Sequence, residues 1–150
     1  MTTYLETPTD LIDLVGQQPA TTDWMRVTQE QVNRFADATG DHQWIHTDPQ
    51  RDAHGPFNGT AAHGYLTPSL APVVISEMSQ IRAVTSALND GLNKVRFPSP
   101  LPVDAPIRAT VAVMSAQQKT SGVESVFELT YEIDGEKRPA CVASVIVVYA

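Results

Sequence analysis

The chain has 150 residues, of which 42% are hydrophobic and 18% charged, and its 17 acidic and 10 basic side chains give a formal net charge of −7. An acidic chain without a cluster of lysine and arginine lacks the electrostatic footprint of a nucleic-acid-binding protein, and no apolar run approaches the ~18 residues that a membrane-spanning helix requires. We therefore expect one globular domain, residues 1–150, with neither a nucleic-acid nor a membrane partner.

The start of the chain has no basic segment followed by an apolar run, as a secretory signal has. The single cysteine, Cys141, has no partner for an internal disulfide. Both features favour a cytoplasmic location. Cys141 lies in the apolar run ACVASVIVVYA, where a cysteine ordinarily packs as a small hydrophobic residue and does not act as a nucleophile.

The first 20 residues are predicted to form a loosely attached N-terminal arm, because Pro8, Gly16 and Pro19 interrupt any long element. A short strand is predicted over residues 23–27. A helix then begins at Thr28, since the pair Thr28 and Gln31 has the spacing of a capping box.

The helix is predicted to end at Gly40, because a left-handed glycine commonly closes a helix, and it places Asp41 just beyond its end. The loop that follows contains Pro49, Gly55, Pro56, Asn58 and Gly59.

The segment AAHGYLTPSLAPVVISEMSQI is apolar on most sides and predicts a long helix wrapped by other structure. Its two prolines limit where the helix begins. Either Thr67 caps it and Pro68 takes the favoured first position, or it begins at Gly64 and is kinked near Pro68 and Pro72.

From Gly91 onward the segments KVRF, PIRATVAVMSAQ, VESVFELTYEIDG and ACVASVIVVYA are rich in β-branched and aromatic residues and predict strands. Helices followed by a meander of strands favour an α+β fold, in which an antiparallel sheet packs against one long helix.

The stretch GDHQWIHTDP carries the candidate chemistry. A turn between Asp41 and His46 can bring a carboxylate and an imidazole to either side of one water molecule, as general acid–base catalysis requires. The alternative is that Asp41 caps a turn and His46 is a packed polar residue. A metal site formed by His42, His46, Asp41 and Asp48 is a third interpretation, but no paired metal-ligand spacing such as HExxH supports it, and we expect no metal.

A second candidate feature is His63-Gly64 at the entrance to the apolar helix. Backbone N–H groups lack intrahelical partners there, and glycine allows a ligand to approach the backbone closely. Such a position can hold a carbonyl oxygen that gains negative charge during a reaction.

Together, ADATGDHQWIHTDP and the later AAHGYLTPSL resemble the MaoC-like dehydratases, the (R)-specific enoyl-CoA hydratases of the hotdog superfamily. The similarity continues through GLNKVRFPSPLPVD and the terminal strands. It implies a single hotdog fold, with an antiparallel sheet wrapped around a long central helix, and a homodimer joined edge to edge. The apolar strands near Val111 and Val126 are the candidate edges.

The resemblance also implies the chemistry. Asp41 and His46 would be catalytic, adding water to a trans-2-enoyl-CoA to give an (R)-3-hydroxyacyl-CoA without a cofactor. His46 would activate the water, and Asp41 would orient it and supply the α proton. Gly64 would bind the thioester oxygen, and Gln43 and His63 would complete the substrate-binding residues.

Two positions depart from the family pattern. Gln43 stands where many relatives have asparagine. Ser69 is the nearest candidate for a helix serine that supports the aspartate in some members, since Pro72 has nothing to donate.

Alternative functions are a hotdog thioesterase and a noncatalytic acyl-thioester binding subunit. Acyl chain length and the choice between coenzyme A and acyl carrier protein stay open. Lys94 and Arg96 are candidate phosphate contacts.

Overall fold

A computed structural model of the chain describes residues 2–55 and 59–150, so Pro56 and Asn58 of the predicted loop lie outside the described residues. The helical elements are a 3₁₀ helix (Pro8–Leu14), α1 (Gln29–Thr39), α2 (Trp44–Thr47), α3 (Pro49–Asp52), α4 (Leu66–Ser69) and α5 (Ala71–Met78). The strands are β1 (Thr3–Leu5), β2 (Ala20–Thr21), β3 (Met25–Arg26), β4 (Ser79–Ile81), β5 (Ala87–Arg96), β6 (Pro106–Lys119), β7 (Gly122–Ile133) and β8 (Cys141–Tyr149).

The main sheet is antiparallel, with the strand order β2-β6-β7-β8-β5 and β3 also paired to β6. Along β7 every second side chain is buried, as expected for a strand with one face on a core. Val74 and Ile75 of α5 belong to the same buried cluster as Phe127 and Leu129 of β7. The predicted α+β class is therefore confirmed. The four predicted strands are present, although β5 begins at Ala87 and not at Gly91.

The predicted long helix is broken. Its two pieces, α4 and α5, meet at Leu70, because Pro72 has no N–H to bond the carbonyl of Pro68 in the preceding turn. α4 begins at Leu66, between the two predicted starts: Thr67 does not cap it, and it does not reach back to Gly64, but the kink of the second alternative is present. The helical part ends at Met78, and the last three residues of the apolar segment form β4. We call α4 and α5 together the central helix.

The first 20 residues do not form a loosely attached arm. β1 pairs in parallel with β4, and β2 pairs with β6. Leu5 and Leu11 are buried in the core, Leu11 completely. The prolines and glycine divide this segment into short elements, but its leucines still hold it against the sheet.

The predicted dimer edges are wrong. Val111 pairs with Leu129 on one side and Ala20 on the other, and Val126 lies in β7 between β6 and β8. Among the described residues, β5 pairs only with β8, so β5 is an open edge of the sheet.

Cys141 is fully buried opposite Tyr131, and burial raises the pKa of its thiol to about 11. The thiol is therefore neutral near pH 7, in agreement with the predicted packing role. None of the helices that the structure describes has both the length and the hydropathy of a membrane span.

Candidate active site

The end of α1 positions the first site residue. The side-chain oxygen of Thr28 accepts the N–H of Gln31 at 3.2 Å and caps the start of α1. Gly40 closes the helix with φ 85°, and its N–H donates to the carbonyl of Ala36 at 2.8 Å. This left-handed conformation strains other residues, so both predicted helix boundaries are confirmed and Asp41 leaves the helix as expected.

A tight turn then brings His46 back toward Asp41. The backbone N–H of Gln43 donates to Asp41 Oδ1 at 3.4 Å, and the N–H of His46 donates to the carbonyl of Gln43 at 3.0 Å as α2 begins. His46 Nε2 lies 4.0 Å from Asp41 Oδ2. The Asp41 side chain is 53% exposed and that of His46 only 10%, so one member faces solvent and the other is enclosed.

The orientation of the His46 ring is set by the backbone of Ala61. Nδ1 of His46 lies 2.6 Å from the Ala61 carbonyl oxygen, which can only accept a hydrogen bond. Nδ1 therefore carries the hydrogen, and in the neutral ring the lone pair is on Nε2, on the side of Asp41. A water molecule hydrogen-bonded to both side chains, at about 2.8 Å from each, fits their separation.

His63 lies directly against this pair. Its segment is held by a bridge between Ala61 and Pro102 and by the N–H of Ala62, which donates to the carbonyl of Leu101 at 2.8 Å. The His63 ring is stacked on the ring of His46, with centroids 4.0 Å apart and planes at 27°. Its Nε2 lies 2.9 Å from the backbone carbonyl oxygen of Asp41.

A cleft of about 440 Å³ opens beside these residues. Its walls are Phe35, Thr39, Asp41, His63, Gly64, Tyr65 and Phe97. The N–H of Gly64 has no acceptor among the described residues, and the Phe97 ring lies 3.4 Å from the position of a Cβ at Gly64. The cleft thus combines aromatic walls with a carboxylate and an unengaged backbone donor.

Other predicted residues lie outside this arrangement. Gln43 is exposed and contributes its backbone N–H, not its amide, to Asp41. The hydroxyl of Ser69 donates to the carbonyl of Leu66 and so does not support Asp41. Lys94 and Arg96 are exposed on β5, and Arg96 also contacts the carbonyl of Val95.

The proposed metal ligands do not come together. His42 Nε2 lies 3.7 Å from Asp37 Oδ1, and Asp48 accepts the N–H of Arg51 at the start of α3. Among the described residues, the potential ligand atoms that lie within 4.8 Å of one another belong to Asp41, His46 and His63. In this cluster His63 Nε2 and His46 Nδ1 are each occupied by a backbone carbonyl oxygen, of Asp41 and Ala61 respectively.

Four wall residues were not predicted. Phe35 and Thr39 are one turn apart on α1 and precede Asp41. Their helical spacing indicates that both lie on one face of α1, on the side that leads to Asp41. Tyr65 follows the His-Gly pair directly. Phe97 reaches the cleft just after the end of β5, and no local pattern indicated that contact.

Residues 11–136 match the model of the MaoC like domain. The chain is 47% identical to 3-hydroxyacyl-thioester dehydratase Z of Mycobacterium tuberculosis, over 96% of each chain. It is 40% identical to nodulation protein N of Rhizobium leguminosarum bv. viciae, over 93% of this chain and 88% of that protein.

Solved structures give the same fold at low sequence identity. The (R)-hydratase from A. caviae involved in PHA biosynthesis superposes with a TM-score of 0.72 at 20% identity, over 89% of this chain and 95% of that one. An unliganded R-hydratase from Pseudomonas aeruginosa superposes with a TM-score of 0.72 at 18% identity, over 90% of this chain and 81% of that one. The implied hotdog fold is confirmed.

Proposed function

Because this chain belongs to the MaoC-like dehydratase family and is an enzyme of the hydratase or dehydratase type, we propose that it hydrates trans-2-enoyl-CoA to (R)-3-hydroxyacyl-CoA. Asp41 and His46 are the catalytic pair in this proposal, and no cofactor takes part. The observation that carries it is the 4.0 Å separation between His46 Nε2 and Asp41 Oδ2, with Asp41 in the wall of the cleft. A positioned acid and base with room for one water molecule is the arrangement that hydration requires.

The thioester oxygen binds at Gly64. Its N–H has no acceptor among the described residues and is part of the cleft wall. When water attacks the β carbon, the electrons of the double bond move toward the carbonyl, and negative charge collects on the thioester oxygen. A preorganised N–H stabilises that charge more than it stabilises the uncharged substrate.

His46 is the base. With its hydrogen held on Nδ1 by the Ala61 carbonyl, Nε2 is free to take a proton from the water as the oxygen bonds to the β carbon. Asp41 orients the water; protonated His46 then passes the proton to the Asp41 carboxylate, and Asp41 delivers it to the α carbon, so both side chains return to their starting states. The sum is one water molecule added across one double bond, and the reverse sequence is dehydration.

The acyl group extends along the central helix. A furrow of about 420 Å³ shares Tyr65 with the cleft and runs between the central helix and β5. Pro68, Leu92 and Val145 give it apolar walls suited to an alkyl chain.

Gln43, outside the cleft, supports the site through its backbone. Lys94 and Arg96, just before Phe97 on the rim, are proposed contacts for the phosphates of coenzyme A.

The direct test offers crotonyl-CoA and longer trans-2-enoyl-CoAs to the pure protein. We expect loss of the enoyl absorbance without release of free coenzyme A, as measured with a thiol reagent. A thioesterase would instead release thiol in step with turnover. A noncatalytic binding subunit would bind the thioesters and leave them unchanged, and either result would contradict the proposal.

We further propose that the protein is a homodimer joined through β5. The open edge carries unpaired backbone groups, and Leu88 and Leu92 on this strand are 64% and 55% exposed. Pairing with a symmetric copy satisfies the edge and buries these side chains. The furrow lies against β5, so the partner copy would cover it.

Replacing Leu88 and Leu92 together by glutamate is expected to produce monomers in sedimentation velocity, because the charges cannot be buried at the edge. Met114→Glu is the matched control, since Met114 is 52% exposed on β6, away from β5. Specific activity should fall with the dimer population on dilution. Full specific activity in a monomeric sample would rule out this assembly.

A further inference from the structure

His63 has no nitrogen free to bind a substrate. Nε2 lies 2.9 Å from the carbonyl oxygen of Asp41, and that oxygen can only accept, so Nε2 carries the hydrogen. Nδ1 is buried and has no hydrogen-bond partner among the described residues. The whole residue is only 2% exposed. Its contribution to the site must therefore pass through the groups that it touches.

One of these groups is the backbone of Asp41. Asp41 follows the left-handed Gly40, at the point where the regular hydrogen bonds of α1 have ended. The hydrogen bond from His63 holds the Asp41 peptide across 22 residues of sequence. It thereby fixes the direction in which the Asp41 side chain projects from the backbone.

The other group is the ring of His46. The two imidazoles are stacked, and Phe35 lies against His63 with a centroid distance of 4.9 Å. When His46 takes a proton, a second positive charge on the stacked His63 would be strongly unfavourable in this enclosed position. A neutral His63 instead presents its π face to the imidazolium of His46, which stabilises the charge.

We propose that His63 is a positioning residue, which anchors Asp41 through its N–H and stabilises protonated His46 through its ring. This inference rests on the proposed function, because it assigns His63 a part in hydration by that pair. It replaces the substrate-binding role that the sequence suggested for His63.

Two substitutions separate the two contributions. His63→Phe keeps an aromatic face but loses the N–H donor. His63→Gln keeps an amide donor near the position of Nε2 but loses the ring. Both variants should lower kcat more than they change KM, His63→Phe by about 10²-fold, because a misplaced catalytic group costs that much.

Comparison of the two variants distinguishes positioning from mere structural support. If His63 only filled space, His63→Phe would preserve kcat better than His63→Gln, because phenylalanine replaces the ring. If the His63 N–H anchors Asp41, His63→Gln should lose kcat only a few-fold, through the missing ring, and should stay more active than His63→Phe.

NMR of the histidine ring nitrogens identifies the His63 tautomer without substrate, so the inference and the proposed function are tested separately. Absence of hydration would reject the function, whereas the tautomer still tests the role of His63. In the unmodified protein, His63 should carry its hydrogen on Nε2. The opposite tautomer, or a kcat in folded His63→Phe that equals or exceeds that of His63→Gln, would overturn the inference. The tautomer measurement needs no variant and holds even where a variant fails to fold.

Discussion

His46→Gln and Asp41→Asn are each expected to lower the rate of enoyl-CoA hydration by a factor of ~10² to 10⁴, the usual contribution of a positioned acid or base. Glutamine has no basic nitrogen to take the proton from water. Asparagine keeps the shape of aspartate but has no carboxyl group to pass a proton to the α carbon. Initial rates with crotonyl-CoA measure both effects.

The matched control is His42→Gln. His42 belongs to the same segment, but its side chain is 56% exposed and faces Asp37, not the cleft. We expect this variant to keep its activity. The circular dichroism of all three variants should match that of the unmodified protein. The unfolding midpoint should fall only in His46→Gln, because the buried ring loses its stacking on His63 and its hydrogen bond to the Ala61 carbonyl. Near-normal turnover in both His46→Gln and Asp41→Asn would place the chemistry elsewhere.

Removal of the Gly64 N–H is expected to have the second largest effect. Gly64→Pro deletes this donor and should lower kcat by ~10² to 10³-fold, the cost of losing one oxyanion donor. Gly64→Ala keeps the N–H. Its added methyl would lie 3.4 Å from the nearest carbon of the Phe97 ring, an ordinary van der Waals contact. Alanine should therefore cost only a few-fold.

The two Gly64 variants are compared with each other because both add a side chain at the same place, whereas only proline removes the N–H. Thermal unfolding checks that proline, which also restricts the backbone of His63, leaves the fold intact. Equal activities for folded Gly64→Pro and Gly64→Ala would mean that the thioester oxygen is bound by another group.

The sequence predicted the parts of the fold that depend on neighbouring residues. Thr28 and Gly40 mark the ends of α1 because a cap and a left-handed glycine act within one helical turn. The turn from Asp41 to His46 is likewise local, so their approach was a reasonable hypothesis from spacing. The four main strands follow from β-branched and aromatic residues in alternating positions.

Contacts between distant segments could not be predicted from spacing. The Ala61 carbonyl that fixes the His46 tautomer, and the stacking of His63, depend on how two loops pack. The open edge at β5 depends on the strand order, which alternation does not specify. The break at Leu70 was suggested by Pro72, but its location required the structure.

The most direct test of the central claim is the stereochemistry of the product formed from crotonyl-CoA. Chiral analysis should find (R)-3-hydroxybutyryl-CoA alone from the unmodified protein, and little or none from His46→Gln. Formation of the (S) product, of a racemic mixture, or of free coenzyme A and crotonate would contradict (R)-specific hydration by Asp41 and His46.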